Sequence, residues 1–330
     1  LLPEPLRRGY FLTNYCIYTK RIIVWCMNFA KFTSLFSLSQ AFPTEESCLT
    51  YLEQHFWKNG VVSPFDPTSK VYNYGNHKYR CKNTGKNFTV RTNTLFHGSK
   101  VSLQKWFMAI WLIANYKKGI SSCQLAKEIG VRQATAWHML HRIRECFFCE
   151  NDYKLDGEVE LDETFVGGKN KNRHKNKKVR HSQGRSFKDK TPVLGMLQRG
   201  GKVVCRVVKS TSKKHLTAPI LRTVKRTAKL FTDEWCGYDT VGKIYERKIV
   251  DHGKGQYVCG DAYTNTIEGF WSGLKRGIIG IYHKVIRKHL CRYVNEFVFR
   301  YNTKKISSVE RFNLLLCNIN YRTTYQDLIK

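Results

Sequence analysis

Asn265-Thr-Ile-Glu-Gly-Phe-Trp-Ser-Gly-Leu-Lys-Arg276 is the stretch whose reading organises the rest of the chain. As a helix it places Ile267, Phe270, Trp271 and Leu274 on one face, at the i, i+3, i+4, i+7 spacing of a buried stripe. The opposite face carries Asn265, Glu268, Ser272 and Lys275, a carboxylate two turns from a cation. An ordinary amphipathic helix with a solvated polar side shows the same pattern, so the helix alone decides nothing. Chemical meaning comes from upstream. Thr232-Asp233-Glu234-Trp235 closes an apolar, strand-like run, with 34 residues between Asp233 and Glu268. A further carboxylate, Asp162 in Val159-Glu-Leu-Asp162-Glu-Thr164, ends another alternating strand. Two strand-end aspartates and a helical glutamate are the parts of a two-metal phosphoryl-transfer site.

The chemistry explains the residue types. Magnesium takes oxygen ligands, keeps several waters and is bound by one or two carboxylates plus substrate phosphates. Two such ions, about 3.5–4 Å apart, activate an attacking oxygen and stabilise the leaving one. In this reading Asp162 bridges two Mg2+ (or Mn2+) ions while Asp233 and Glu268 hold one each. Lys275 meets a phosphate near the scissile bond. His252, between Asp233 and Glu268 in sequence, is read as a loop histidine, with a proton shuttle as the alternative.

The chain of 330 residues carries 57 Lys+Arg against 25 Asp+Glu, a formal charge of +32. Such an excess repels itself unless a polyanion neutralises it, and nucleic acid is the expected partner. An anionic membrane fits less well, because the cations are spread along the chain rather than gathered on one amphipathic helix. The most apolar early run, residues 22–30, is about half the roughly 20 residues needed to span a bilayer. The twelve cysteines are scattered and do not form a secreted disulfide framework. Cys146-Phe-Phe-Cys149 has metal-ligand spacing but no matching second pair, so thiols in a reducing cytosol are expected.

In order, residues 1–26 read as upstream read-through, with translation beginning at Met27; the intact mass of natively expressed protein tests this. Residues 27–60 form N-terminal helices, with a start signal at Pro43-Thr-Glu-Glu-Ser47. Residues 61–100, punctuated by Pro and Gly, form a small β-ribbon module. Residues 101–150 are helical, and Ser121–Val131 followed by Arg132–Arg144 has the helix, glycine turn, helix order of a helix-turn-helix. Arg132, Gln133, Thr135, His138 and Arg142 are its candidate DNA contacts, with a plain helical hairpin as the alternative. After a polar linker, residues 155–305 alternate strands with helices: a strand over residues 158–166, a hairpin around Gly200-Gly201, a helix over 213–228, a strand over 229–232, and a final helix over 284–302. This order predicts an α/β domain, a mixed sheet flanked by helices. The basic run containing Lys169, Lys171 and Arg173 is a candidate phosphate-contacting loop, as are Lys275 and Arg276 on the helix. Residues 306–330 read as a C-terminal tail.

Together these motifs resemble the DDE-type insertion-sequence transposases of the group related to the eukaryotic Merlin elements. The resemblance runs from about Met27 to Lys305. It rests on Phe42-Pro-Thr-Glu-Glu-Ser-Cys48, Tyr79-Arg-Cys-Lys82, Lys118-Gly-Ile-Ser-Ser122, Ala136-Trp137 with His141-Arg-Ile-Arg144, and Leu161-Asp-Glu-Thr-Phe-Val-Gly-Gly168. Thr232-Asp-Glu-Trp235, Thr264-Asn-Thr-Ile-Glu-Gly-Phe-Trp271, Leu274-Lys-Arg276 and Glu296-Phe-Val-Phe-Arg-Tyr-Asn302 complete it. The resemblance implies an RNase H-like catalytic domain, magnesium dependence, and cleavage and strand transfer at terminal inverted repeats by the transposase of a bacterial insertion sequence. It further implies a homo-oligomer on double-stranded DNA, in the cytoplasm at the nucleoid. It makes Asp162 and Asp233 the first two catalytic residues. Both Asn265 and Glu268 are candidates for the third; Glu268 is preferred because a carboxylate binds magnesium better than an amide. Family members often carry a zinc ribbon, but here Ser63-Pro-Phe-Asp66 and Cys81-Lys-Asn-Thr84 lack the expected cysteine pairs, so zinc is not expected. A catalytically silent, transposase-derived DNA-binding protein is the alternative function.

Overall fold

A computed structural model describes residues 32–167, 174–179, 190–250 and 264–329. Its first helices are α1 (Leu35–Ala41) and α2 (Glu45–Phe56), each opened by a capping box, Ser34 with Ser37 and Thr44 with Ser47. The reciprocal bonds satisfy orphan donors at each helix start, which is why Pro43-Thr-Glu-Glu-Ser47 reads as a beginning. A three-stranded antiparallel sheet follows, β1 (Val71–Asn73), β2 (Tyr79–Cys81) and β3 (Asn87–Phe88). Its small core is Tyr79, Cys81 and Phe88, packed by Trp57 and Phe65. At the positions where a ribbon would carry cysteines, Ser63 Oγ accepts from the Phe65 and Asp66 amides, and Asn83 Nδ2 donates to Asp66 Oδ2 at 2.7 Å. Side-chain hydrogen bonds thus close the loops.

Helix α3 (Leu103–Asn115) is buried almost all round, and α4 (Ser122–Ile129) and α5 (Gln133–Cys146) cross above it. Gly130 joins α4 to α5 at φ +61, a left-handed cap that glycine adopts without a Cβ clash. One core holds these helices together: Trp106, Phe107, Ile110, Leu125, Leu140 and Ile143, joined by Leu52 of α2.

The second half is built on a five-stranded sheet in the order β6-β5-β4-β7-β8. Its strands are β4 (Glu158–Gly167), β5 (Lys190–Gln198), β6 (Val203–Val207), β7 (Lys229–Asp233) and β8 (Glu246–Val250), with α6 (Lys213–Thr223) between β6 and β7 and the short α7 (Asp239–Gly242) before β8. β4, β5 and β6 pair antiparallel, whereas β7 and β8 join parallel. Period-two alternation along β4 sends Val159 and Leu161 to one face, against Leu216 and Ile220 of α6. The other face is covered by α8 (Asn265–Gly277) and α9 (Leu290–Asn302) through Ile267, Phe270, Trp271, Leu274, Val294 and Phe297. The result is a mixed α/β sheet with helices on both faces.

Three expectations are corrected. The helix expected over residues 213–228 ends at Thr223, because Val224 turns extended and bridges Leu155, which starts the chain back toward β7. The helix expected over 284–302 begins at Leu290. A π-helical turn, Ile278–Tyr282, extends α8, and His283 breaks the path at φ +56. The expected tail is folded: α10 (Ser308–Leu316) has a capping box at Ser307 and Glu310 and drives Phe312, Leu315 and Leu316 into the core of the first half. A last helix, α11 (Tyr325–Ile329), buries Leu328. No helix among the described residues is long and apolar enough to cross a membrane.

The halves are also locked by charge. Glu296 of α9 is fully buried and accepts from Arg144 Nε of α5 at 2.6 Å, with Arg300 and Tyr282 on its other oxygen.

Candidate active site

Three elements meet at one cleft of about 940 Å³, lined by Asp162, Asp233, Glu268, Lys275, Arg276 and Trp271 among others. β4 supplies Asp162. The parallel register pairs Glu160 with Phe231; carried two residues on, it brings Asp162 level with Asp233 on the neighbouring strand. Adjacent strands lie about 4.8 Å apart, so the two carboxylates start from adjacent backbones. Arg247 ties down the end of β7, donating to Thr232 Oγ1 (2.9 Å) and to the Asp233 carbonyl (3.0 Å). α8 supplies Glu268, whose Oε1 lies 3.4 Å from the Thr264 hydroxyl.

Asp162 is held from two sides. Its Oδ1 accepts from the Glu163 amide at 2.8 Å and its Oδ2 from Trp271 Nε1 at 2.9 Å. The indole reaches it across β5 because Gly195 stands opposite Asp162 in the ladder; a Cβ there would lie 2.4 Å from the Trp271 ring. Burial pushes the Asp162 carboxyl up to about 6, and repulsion from Asp233 and Glu268 adds to it against the two hydrogen bonds.

Glu160, two residues earlier on the same face, is a functional neighbour that sequence reasoning missed. It is fully buried, accepts from the Ile267 amide at 2.9 Å and pairs with Arg199 Nε at 3.0 Å. The Thr264 side chain makes no capping bond, so a strand carboxylate satisfies the start of α8 and favours its dipole. The signal was present in Val159-Glu-Leu-Asp162, as a second inward carboxylate at i−2.

The two candidates for the third catalytic residue line different cavities. Glu268, Ser272 and Lys275 line the carboxylate cleft, whereas Asn265 lines a different groove, on the other side of α8. Lys275 and Arg276 are exposed on the cleft. On α5, Arg132 and Gln133 are exposed, and Gln133 Nε2 donates to Ser122 Oγ at 2.7 Å; Thr135 and His138 are half-buried. Arg142 corrects the expectation of a DNA contact: it is 5% exposed, donates to the His97 carbonyl at 3.0 Å and lies over the Trp106 ring. Lys169, Lys171, Arg173 and His252 lie outside the described residues.

As they stand, no three His, Cys, Asp or Glu side chains among the described residues are gathered tightly enough to hold a metal ion. The donor chemistry nonetheless suits a hard divalent cation. It is all oxygen, from carboxylates on two strands and a helix, and burial, with repulsion from Asp233 and Glu268, raises the Asp162 carboxyl.

The cleft thus gathers Asp162 from the middle of β4, Asp233 from the end of β7 and Glu268 from α8. Residues 154–302 match the family of the ISXO2-like transposase domain. An uncharacterized protein in transposable element ISH50, from Halobacterium salinarum, is 28% identical over 274 residues, covering 79% of this chain and 92% of its own length. Together these findings support a DDE-type insertion-sequence transposase, with an archaeal relative.

Proposed function

We propose that the chain is the transposase of an insertion sequence, binding the element's terminal inverted repeats and catalysing metal-dependent strand cleavage and strand transfer. One observation carries the reading: a largely buried aspartate, pushed up to about 6 in the company of two further acids, faces an open cleft rimmed by Lys118, Lys275 and Arg276. Isolated buried acids neutralise themselves. Three acids beside cations in a cleft suit a bridging metal and a phosphate.

In this reading Asp162, Asp233 and Glu268 would hold Mg2+ or Mn2+, two ions in the working complex. Such ions would supply Lewis-acid polarisation of phosphoryl oxygens and lower the pKa of a bound water. The chain's own groups do the rest. Trp271 and the Glu163 amide fix the rotamer of Asp162, and Glu160 anchors the helix that presents Glu268. Lys275, Arg276 and Lys118 take phosphate oxygens near the scissile bond. Arg132, Gln133, Thr135 and His138 of α5 meet the duplex, while Lys169, Lys171 and Arg173 add backbone contacts. Asn265 has no metal-binding role. The net charge of +32 suits assembly of several copies on DNA, at the nucleoid of a prokaryotic cytoplasm.

The test is strand transfer by purified protein with magnesium and a labelled duplex carrying the element's end. Joined products that vanish in Asp162→Asn are expected. An end bound with steep salt dependence but never cut would leave a catalytically silent DNA-binding protein.

A further inference from the structure

On the far side of α8 from the carboxylates lies a second groove, about 920 Å³, which the proposed chemistry does not use. Its cations are Lys117, Lys118, Arg276, Arg300, Lys304 and Arg311, and no carboxylate among the described residues lines it. Arg300 is committed to the fold, donating to the Tyr116 and Ile113 carbonyls, and Arg311 donates to the Thr303 carbonyl. Lys304 lies over the Tyr301 ring at 3.9 Å. Lys117, Lys118 and Arg276 have no ion-pair partner among the described residues and are exposed.

Gly269 and Gly273 of α8 also line this groove. A Cβ at either would meet nothing within 4 Å, so no neighbour among the described residues requires glycine there. Glycine weakens a helix interior, and its gain is close approach of something to bare backbone. The groove therefore combines a basic wall with a wall stripped to the main chain.

We infer that this groove binds the phosphodiester backbone of DNA, and that its occupant is the continuation of the strand cut in the carboxylate cleft. The commitment to the same strand rests on continuity: Lys118 and Arg276 line both cavities, so a strand leaving one passes two unpaired cations into the other. The glycines let the sugar-phosphate chain lie against α8, and Lys117 and Lys304 neutralise its phosphates. This inference rests on the proposed function, since it extends the path of the same DNA.

The experiment measures binding of an element-end duplex across a salt series by fluorescence anisotropy, together with cleavage of that duplex. Wild type is compared with Gly273→Leu and with the pair Lys117→Glu and Lys304→Glu. Gly273→Leu is expected to melt at or above the wild-type temperature, because the added side chain enters open space and a better helix former replaces glycine. It is nevertheless expected to lose about tenfold in affinity, as is the lysine pair, and each phosphate no longer neutralised should lower the log–log salt slope by about 0.9. Trimming the duplex on the side that leaves the cleft should bring wild type down to the level of the variants. If Gly273→Leu fails to fold, the lysine pair carries the same readout. Variants that bind with wild-type affinity and slope, while wild type cuts normally, overturn this inference and leave the proposed function standing. A change in oligomeric state with unchanged DNA affinity overturns it in favour of a second copy as occupant. Wild type that binds no DNA end at any salt removes the proposed function and this inference together.

Discussion

Two buried carboxylates in this molecule receive opposite treatment. Burial alone would raise the carboxyl of Glu296, yet Arg300 and Arg144 hold it below its ordinary range, and Tyr282 donates to it as well. Asp162 has two N–H donors and two further acids nearby, and its carboxyl rises. The first cluster is electrostatically complete and joins α5 to α9. The second brings three acids together and opens on a cleft. A buried charge neutralised by its neighbours is architecture, whereas a carboxyl raised by burial and like charges at a cleft marks a candidate functional site.

The largest expected effect breaks the second cluster. Metal-held phosphoryl oxygens are worth several kcal/mol in the transition state, so Asp162→Asn or Glu268→Gln should slow strand cleavage on the order of a thousandfold. Asn265→Ala, on the other groove, should leave the cleavage step within about threefold of wild type when DNA is saturating, since uniform binding does not enter kcat. Breaking the first cluster acts on stability instead. Glu296→Ala strands Arg144 in the interior and should cost about 3–5 kcal/mol in denaturant unfolding.

A smaller effect sharpens the contrast by its sign. The folded-state pKa of Asp162 is above its ordinary 3.8, so the folded protein holds that proton more tightly than the unfolded chain. Without metal, the stability contribution is greatest below pH 3.8, falls as pH rises to about 6, and is flat above. Metal-free Asp162→Asn should therefore be more stable than wild type by about 1–3 kcal/mol above pH 6, with the advantage vanishing in acid. Thermal melts across pH check this, and a variant less stable than wild type at neutral pH would contradict it. Smallest is Trp271→Phe, which keeps the ring and removes one N–H donor; metal affinity should fall roughly tenfold, read by calorimetry.

Much of this was legible in the sequence, for identifiable reasons. The two faces of α8 follow from the 3.6-residue period, and Asp233 announces itself as an acid ending an apolar strand, whereas Asp162, read as a strand end, lies midway along β4. Other features depend on what docks where. Glu160 reads as a strand polar position until the start of α8 arrives above it. Asn265 and Glu268 share a helical arc, and only the neighbouring elements divide that arc into two clefts. Arg142 reads as a recognition-helix cation, but Trp106 and His97, distant in sequence, enclose it. The misread end of the chain is different. Phe312, Leu315, Leu316 and Ile319, after Ser307 and Glu310, carried a complete helix signal that could have been used.

The most direct measurement of the central claim is Mn2+ binding to the protein–DNA complex by titration calorimetry, above and below pH 6, beside Asp162→Asn. The account predicts binding by wild type that weakens as pH falls through about 6, where protons compete for Asp162, and that is abolished in the variant. Equal Mn2+ binding by both proteins, or binding indifferent to pH across that range, would contradict it.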